Sequence, residues 1–287
     1  MPLDSIAEIL ASCSERNQAF WQVVLEADVE ERQVSAGASF EKMRATWRAM
    51  LDSAESYDGG LRSVSGLSGG DGELMLRYAA GGAALGGGYI SEVIATALCV
   101  GESNACMRKI VAAPTAGACG VLPAVLVPLY RRGEREEDIL RALYTAAGIG
   151  AVINSRASIS GAAGGCQAEI GSASAMAAGA LAQLRGGGPE QTANALAMAL
   201  KNLMGLICDP VAGLVEVPCV KRNVIGAVNA VSCADMALAG ITSRIPADEV
   251  IDCMGIVGER LPREFRETAR GGLAATPTGR AAWKQLK

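Results

Sequence analysis

The chain has 287 residues, a net charge of −4, apolar side chains at 50% of its positions and no histidine. Without imidazole there is no Ser-His-Asp or Cys-His machinery and no His-rich zinc site, and an acidic chain whose basic residues are scattered rather than striped excludes a nucleic-acid partner. Nine cysteines, with no short-spaced disulfide framework and no signal peptide, read as thiols in a reducing compartment and point to the cytoplasm.

Helical periodicity dominates from the start, and strand alternation is nearly absent. Asp4 is placed to cap a helix with the apolar face Ile6, Ile9, Leu10 and Cys13, continuing to Trp21, Val24 and Leu25. A second helix carries Phe40, Met43, Trp47, Met50 and Leu51 before the chain breaks at Asp58-Gly59-Gly60 and enters the loop SGLSGGDG, Ser65 to Gly72. This break divides the chain into a helical preface, 1–60, and a main all-α domain, 61–287, unless the whole of 1–287 forms one continuous domain. Further helices are expected over 73–85, 90–108, 135–152, 168–185, 189–206, 222–240 and 247–257, with Gly or Pro between them. Pro189 suits a first-turn position, and Cys208 follows that helix directly. The run RRGEREED, Arg131 to Asp138, reads as a solvated turn and helix start. The fold class is all-α, built from closely packed Ala/Gly-rich helices; Gly82-x-x-x-Gly86 and Gly161-x-x-x-Gly165 are the spacings expected to let backbones approach.

The uncharged run from Ile110 to Tyr130 is nominally long enough to cross a bilayer of about 30 Å. It contains Pro114, Pro123 and Pro128 together with Gly117 and Gly120. Carbonyls freed by those residues need buried partners, so a membrane span is not expected.

Three cysteines stand apart. Cys166, Cys208 and Cys219 lie in GGCQAE, LICDPVAG and EVPCVKRN, sequence typical of helix boundaries. Cys166 and Cys219 precede expected helices, where the partial positive charge of a helix N-terminus favours thiolate. Three soft ligands suit iron-sulfur or zinc chemistry, and three rather than four leave one coordination position free. Cys99, Cys106, Cys233 and Cys253 fall in helical patterns and Cys13 on an apolar face, so these five are assigned to the core. Cys119, in the Gly-rich PTAGACG, is the one further cysteine placed to face a site. There is no Walker P-loop, no Gly-x-Gly-x-x-Gly and no C-x-x-C pair, so no nucleotide cofactor is expected.

The segments SGLSGGDG (65–72), ESNACMRKIVAAPTAGACGVLPAVL (102–126), GAAGGCQAEIGSASAMAAGAL (161–181), CDPVAGLVEVPCVKRNVIGAVNAVSCADMAL (208–238) and RETARGGLAATPTG (266–279) resemble the α chain of bacterial iron-sulfur-dependent L-serine dehydratases. The resemblance covers nearly the whole chain. It implies an all-α fold, a [4Fe-4S] cluster on Cys166, Cys208 and Cys219, conversion of L-serine to pyruvate and ammonia, and a separate β subunit as partner.

A carboxylate substrate needs a cationic partner. Lys221, Arg222 and Asn223 follow Cys219 directly and are candidates, with Arg222 the choice for the carboxylate. Thr115 and Ser65 are the candidate hydroxyls from the two Gly-rich loops. The catalytic base falls to a Lys, a carboxylate, a Cys, a substrate group or the β chain, the β chain being preferred. None of the six lysines sits in a phosphate-loop setting, so pyridoxal phosphate is not expected. Residues 254–287 contain no cysteine to serve as a fourth thiolate. The alternatives are a related cluster-dependent lyase acting on L-cysteine and a helical structural protein stapled by zinc.

Overall fold

The computed structural model describes residues 4–286. Their helices are α1 (Ile6–Arg16), α2 (Phe20–Arg32), α3 (Ala36–Glu55), α4 (Asp71–Ala80), α5 (Gly87–Ala105), α6 (Val121–Arg131), α7 (Glu136–Arg156), α8 (Gly161–Gly164), α9 (Ser172–Leu184), α10 (Pro189–Asn202), α11 (Cys219–Leu238), α12 (Ala247–Arg260) and α13 (Pro277–Gln285). Among the described residues the only β pairing outside these helices is an isolated parallel bridge between Cys208 and Arg266. The all-α expectation holds.

The first expected helix is in fact two. Ser5, not Asp4, caps α1 by accepting the Glu8 amide at 3.1 Å, and Asp248 of α12 accepts the Ile6 and Ala7 amides at 2.8 and 2.9 Å. Asn17 then turns into the left-handed region at φ 51° and ends the helix, and α2 begins anew at Phe20. The apolar stripe assigned to one helix is therefore shared by two, which still face a common core.

At the centre lies α9, buried at every position from Ser172 to Ala182 and packed against α6, α7, α10 and α11. A helix of Ala, Ser and Gly can be enclosed on all sides because its neighbours approach its backbone closely. At Gly179 a Cβ would lie 2.2 Å from Ile149 Cδ1 of α7, and at Gly148 of α7 one would lie 2.3 Å from Val24 Cγ2 of α2. The expected small-residue spacings behave differently. Gly82 sits in the turn between α4 and α5 with open space around it, and Gly161 and Gly165 border the cysteine site. One hydrophobic core runs from Ile6, Phe20 and Trp47 through Leu126, Ile149 and Leu196 to Met254.

The proline-containing run forms α6, a helix absent from the expected set. Pro123 occupies its first turn, where no amide is needed, and every residue from Val121 to Leu129 is buried. The hydropathy of this segment belongs to the core, and among the described residues no helix is long and apolar enough to cross a membrane. Cys13, Cys99 and Cys233 are buried as expected, and Cys106 is partly buried at the C-terminus of α5. Cys253 is exposed, against expectation, because the buried stripe of α12 is Val250, Ile251, Met254 and Gly258.

Candidate metal centre

Each of the three singled-out cysteines is held by a different device. Cys166 stands at the start of a π-helical turn, Gln167–Gly171, that leads into α9, a local widening of the helix common at functional sites. The Gln167 side chain is fully buried. It donates to the Gly164 and Met254 carbonyls at 2.9 and 3.2 Å and accepts the Gly205 amide at 2.8 Å, while the Gln167 amide donates to the Leu206 carbonyl at 2.9 Å. This clamp ties the Cys166 turn to the strand of chain that carries Cys208.

Cys208 does not follow a helix directly. The helix ends at Asn202, the chain turns through Gly205 at φ 86°, and Cys208 lies in the isolated bridge. Its amide donates to the Phe265 carbonyl at 2.8 Å and its carbonyl accepts the Glu267 amide at 2.9 Å. Cys219 is the first residue of α11, which starts earlier than the expected 222 and so includes the cysteine.

All three thiols are buried, and they gather: Cys208 feels the charge of both Cys166 and Cys219, and Cys219 that of Cys166. Burial pushes Cys166 up to about 11 despite the Arg222 cation beside it. Burial and then the Cys166 charge push Cys219 up to about 12, and burial and the charges of Cys166, Glu169 and Cys219 push Cys208 higher still. Three bare thiolates are therefore disfavoured in this pocket, and a bound metal cation is the kind of group that would ionise them. Among the described residues no three Cys, Asp or Glu side chains close on a point as a single metal ion requires.

The structure adds carboxylates that the sequence reading missed. Glu169, three residues after Cys166, lies with a carboxylate oxygen 3.9 Å from Cys208 Sγ, and burial pushes its carboxyl above the usual range. Asp209, buried beside Cys208, accepts the Leu273 amide at 2.8 Å. Glu216, also buried, accepts the Ser63 hydroxyl at 2.6 Å and the Ser65 hydroxyl as well. Glu102 accepts the amides of Gly69, Asp71 and Gly72 at 3.2, 2.9 and 3.1 Å and the Tyr57 hydroxyl at 2.5 Å, which fixes the SGLSGGDG loop at the start of α4. The only local signal for any of these was adjacency, of Asp209 to Cys208 and of Glu169 and Glu216 to the other two cysteines.

The five candidate substrate residues divide. Thr115 stands beside Glu169, and its buried hydroxyl oxygen has no well-formed hydrogen bond. Ser65 faces Glu216. Lys221 is exposed and paired with Asp71 at 2.8 Å. Asn223 is buried with its whole amide engaged, accepting the Gly120 amide at 2.8 Å and donating to the Gly117 and Cys219 carbonyls at 2.8 and 2.9 Å. Arg222, whose side chain is 13% exposed, donates to the Ile207 carbonyl at 2.8 Å and lies 2.9 Å from Asp209 Oδ1. Cys119 is buried behind this region, its Sγ 3.9 Å from the Val100 carbonyl.

Residues 15–274 match the serine dehydratase alpha chain family. The chain belongs to that family. A protein of Bacillus subtilis named probable L-serine dehydratase, alpha chain, is 46% identical over 283 residues, spanning 98% of this chain and 94% of the relative. The L-serine dehydratase, alpha chain, of Peptoniphilus asaccharolyticus is 39% identical over 283 residues, 96% of each chain. L-serine dehydratase TdcG of Escherichia coli is 48% identical over 181 residues, 62% of this chain and 40% of that protein. Cys166, Cys208 and Cys219 all lie within the matched residues.

Proposed function

We propose that this chain is the α subunit of an iron-sulfur-dependent L-serine dehydratase, a lyase that converts L-serine to pyruvate and ammonia. In this reading Cys166, Cys208 and Cys219 hold a [4Fe-4S] cluster and a β subunit completes the active site. The observation that carries it is the gathering of three buried thiols from three separate segments in a member of the serine dehydratase alpha chain family. The names of the relatives support serine as substrate, and the designation alpha chain supports a second kind of subunit. The E. coli relative, named without that designation, extends well beyond the matched segment, as expected if both parts share one chain.

Cys166, Cys208 and Cys219 would hold the cluster, which when bound would supply Lewis-acid chemistry beside them. This chain's own residues would bind and orient the substrate there. Thr115 offers a hydroxyl with unused hydrogen-bonding capacity to the substrate's polar groups. Ser65 sits in a loop fixed by Glu102 and Glu216, its hydroxyl donating to Glu216 and accepting the Leu67 amide at 3.0 Å, and Lys221 adds positive charge at the start of α11. Burial excludes water from the thiols and strengthens every electrostatic contact made beside them. The base that takes the Cα proton is assigned to the β subunit, since this chain lacks imidazole.

The test is anaerobic purification of the chain with and without its β subunit, followed by a steady-state assay for pyruvate. Turnover of L-serine by the pair and not by the α chain alone is expected. Full-rate turnover by the α chain alone overturns the assignment of the base, and absence of pyruvate from the pair overturns the activity. The same assay with L-cysteine separates a cysteine lyase from a serine dehydratase.

A further inference from the structure

We infer that Arg222 is a positioning residue that locks the three cysteine-bearing segments into register, and that it is not the partner of the substrate carboxylate. The inference rests on the assignment of Cys166, Cys208 and Cys219 as ligands, and it concerns what holds them in place.

One guanidinium reaches all three segments. Arg222 lies one helical turn beyond Cys219 in α11, so its backbone is rigidly tied to that ligand. Its Nη1 donates to the carbonyl of Ile207, the residue before Cys208, at 2.8 Å. Its Nη2 lies 2.9 Å from the carboxylate of Asp209, the residue after Cys208. The guanidinium also stands beside the Cys166 sulfur, without a well-formed hydrogen bond to it. The planar fork of an arginine can serve several acceptors in one plane, which the single ammonium of a lysine cannot.

The arrangement leaves little for a substrate. The side chain is 13% exposed and that of Asp209 only 2%. Asp209 in turn accepts the Leu273 amide at 2.8 Å, which ties the C-terminal segment to the same point. Gly272 sits there at φ 55°, and a Cβ on it would lie 2.3 Å from Asp209 Oδ2. A substrate carboxylate approaching Arg222 would compete with the buried Asp209 carboxylate, which is already paired with the guanidinium at 2.9 Å. Partners that orient metal ligands typically change metal affinity about 10–100-fold when removed.

The experiment uses the full-length chain with Arg222→Lys and Asp209→Asn, in two measurements. First, the metal-free proteins are alkylated with iodoacetamide and each cysteine's rate is read by mass spectrometry. Cys166, Cys208 and Cys219 are expected to react together at least about tenfold faster in both variants than in the parent, because loosened segments open locally to the reagent. Cys99 and Cys233, buried elsewhere, are expected to keep the parent rate, which excludes general unfolding. Second, the proteins are reconstituted anaerobically with iron and sulfide, and loss of iron to a chelator is followed with activity and KM for L-serine. Both variants are expected to lose iron about 10–100-fold faster, with KM close to that of the parent for the fraction still loaded. Unchanged alkylation together with normal iron retention and a raised KM in Arg222→Lys overturns the inference and returns Arg222 to the substrate. If the parent takes up no iron and sulfide, the cluster reading fails, and the alkylation pattern alone still decides whether Arg222 holds the three segments.

Discussion

Replacing Asn223 separates a substrate ligand from a structural clamp. Its amide makes three hydrogen bonds, all to backbone, and joins the first turn of α11 to the loop that precedes α6. Asn223→Ala orphans the Gly120 amide and takes a donor from the Gly117 carbonyl in a buried setting, while the Cys219 carbonyl keeps its helical partner. Each lost partner costs about 1–3 kcal/mol, less where water enters the space left by the side chain, so a total of about 2–4 kcal/mol is expected. For a chain somewhat above 250 residues this corresponds to a fall in melting temperature of roughly 4–16 °C. Asn223→Asp keeps an acceptor for the Gly120 amide but points carboxylate oxygens at the Gly117 and Cys219 carbonyls, so it is expected to be at least as destabilised. The assay is thermal unfolding followed by circular dichroism at 222 nm, with the KM for L-serine measured alongside. A melting temperature within about 2 °C of the parent in Asn223→Ala, together with a raised KM, would refute the clamp and make Asn223 a substrate contact.

Three other outcomes follow from the same structure. Gly179→Ala drives a methyl against Ile149 in the central helix and is expected to cost about 1–3 kcal/mol, read as a lower melting temperature with unchanged metal content. Gly272→Ala forces an alanine to a left-handed φ and against Asp209, so it is expected to cost about 1–2 kcal/mol from the backbone alone and to speed iron loss from the loaded protein. Single replacement of Cys166, Cys208 or Cys219 by Ala is expected to abolish the brown colour of the anaerobically purified protein, whereas Cys13→Ala and Cys253→Ala are expected to retain it; loss of colour in the last two contradicts the assignment of the trio.

Most helices of this fold were readable from sequence because local periodicity and Gly or Pro punctuation determine them, but α6, α8 and α13 lay outside the expected set and the helix before Cys208 ends earlier than expected. Two of the misses have a local cause. Asn17 ends α1 through a left-handed cap, a conformation that an asparagine can adopt but that its presence does not demand. The prolines of α6 read as breakers, yet Pro123 falls in the first turn and the helix is enclosed by core that tolerates Pro128. The cysteine trio was visible through its setting in Gly- and Pro-rich sequence, but the pairing of Cys208 with Arg266 joins residues far apart in the chain and leaves no local pattern. The same holds for the buried carboxylates. Glu102 and Glu216 serve backbone amides and hydroxyls of a loop many residues away, and a lone acidic residue in a helix or turn looks, in sequence, like any solvated one. Arg222 was noticed for its charge, while its partners Ile207 and Asp209 are supplied by the fold.

The central claim is that three cysteines of this chain hold an iron-sulfur cluster. It is tested most directly by purifying the full-length chain without oxygen and measuring iron, zinc and acid-labile sulfide together with the visible absorption spectrum. About four iron and four sulfide per chain, with a brown colour that disappears when Cys166, Cys208 or Cys219 is replaced, is the expected result. A colourless protein carrying about one zinc and no sulfide would contradict it.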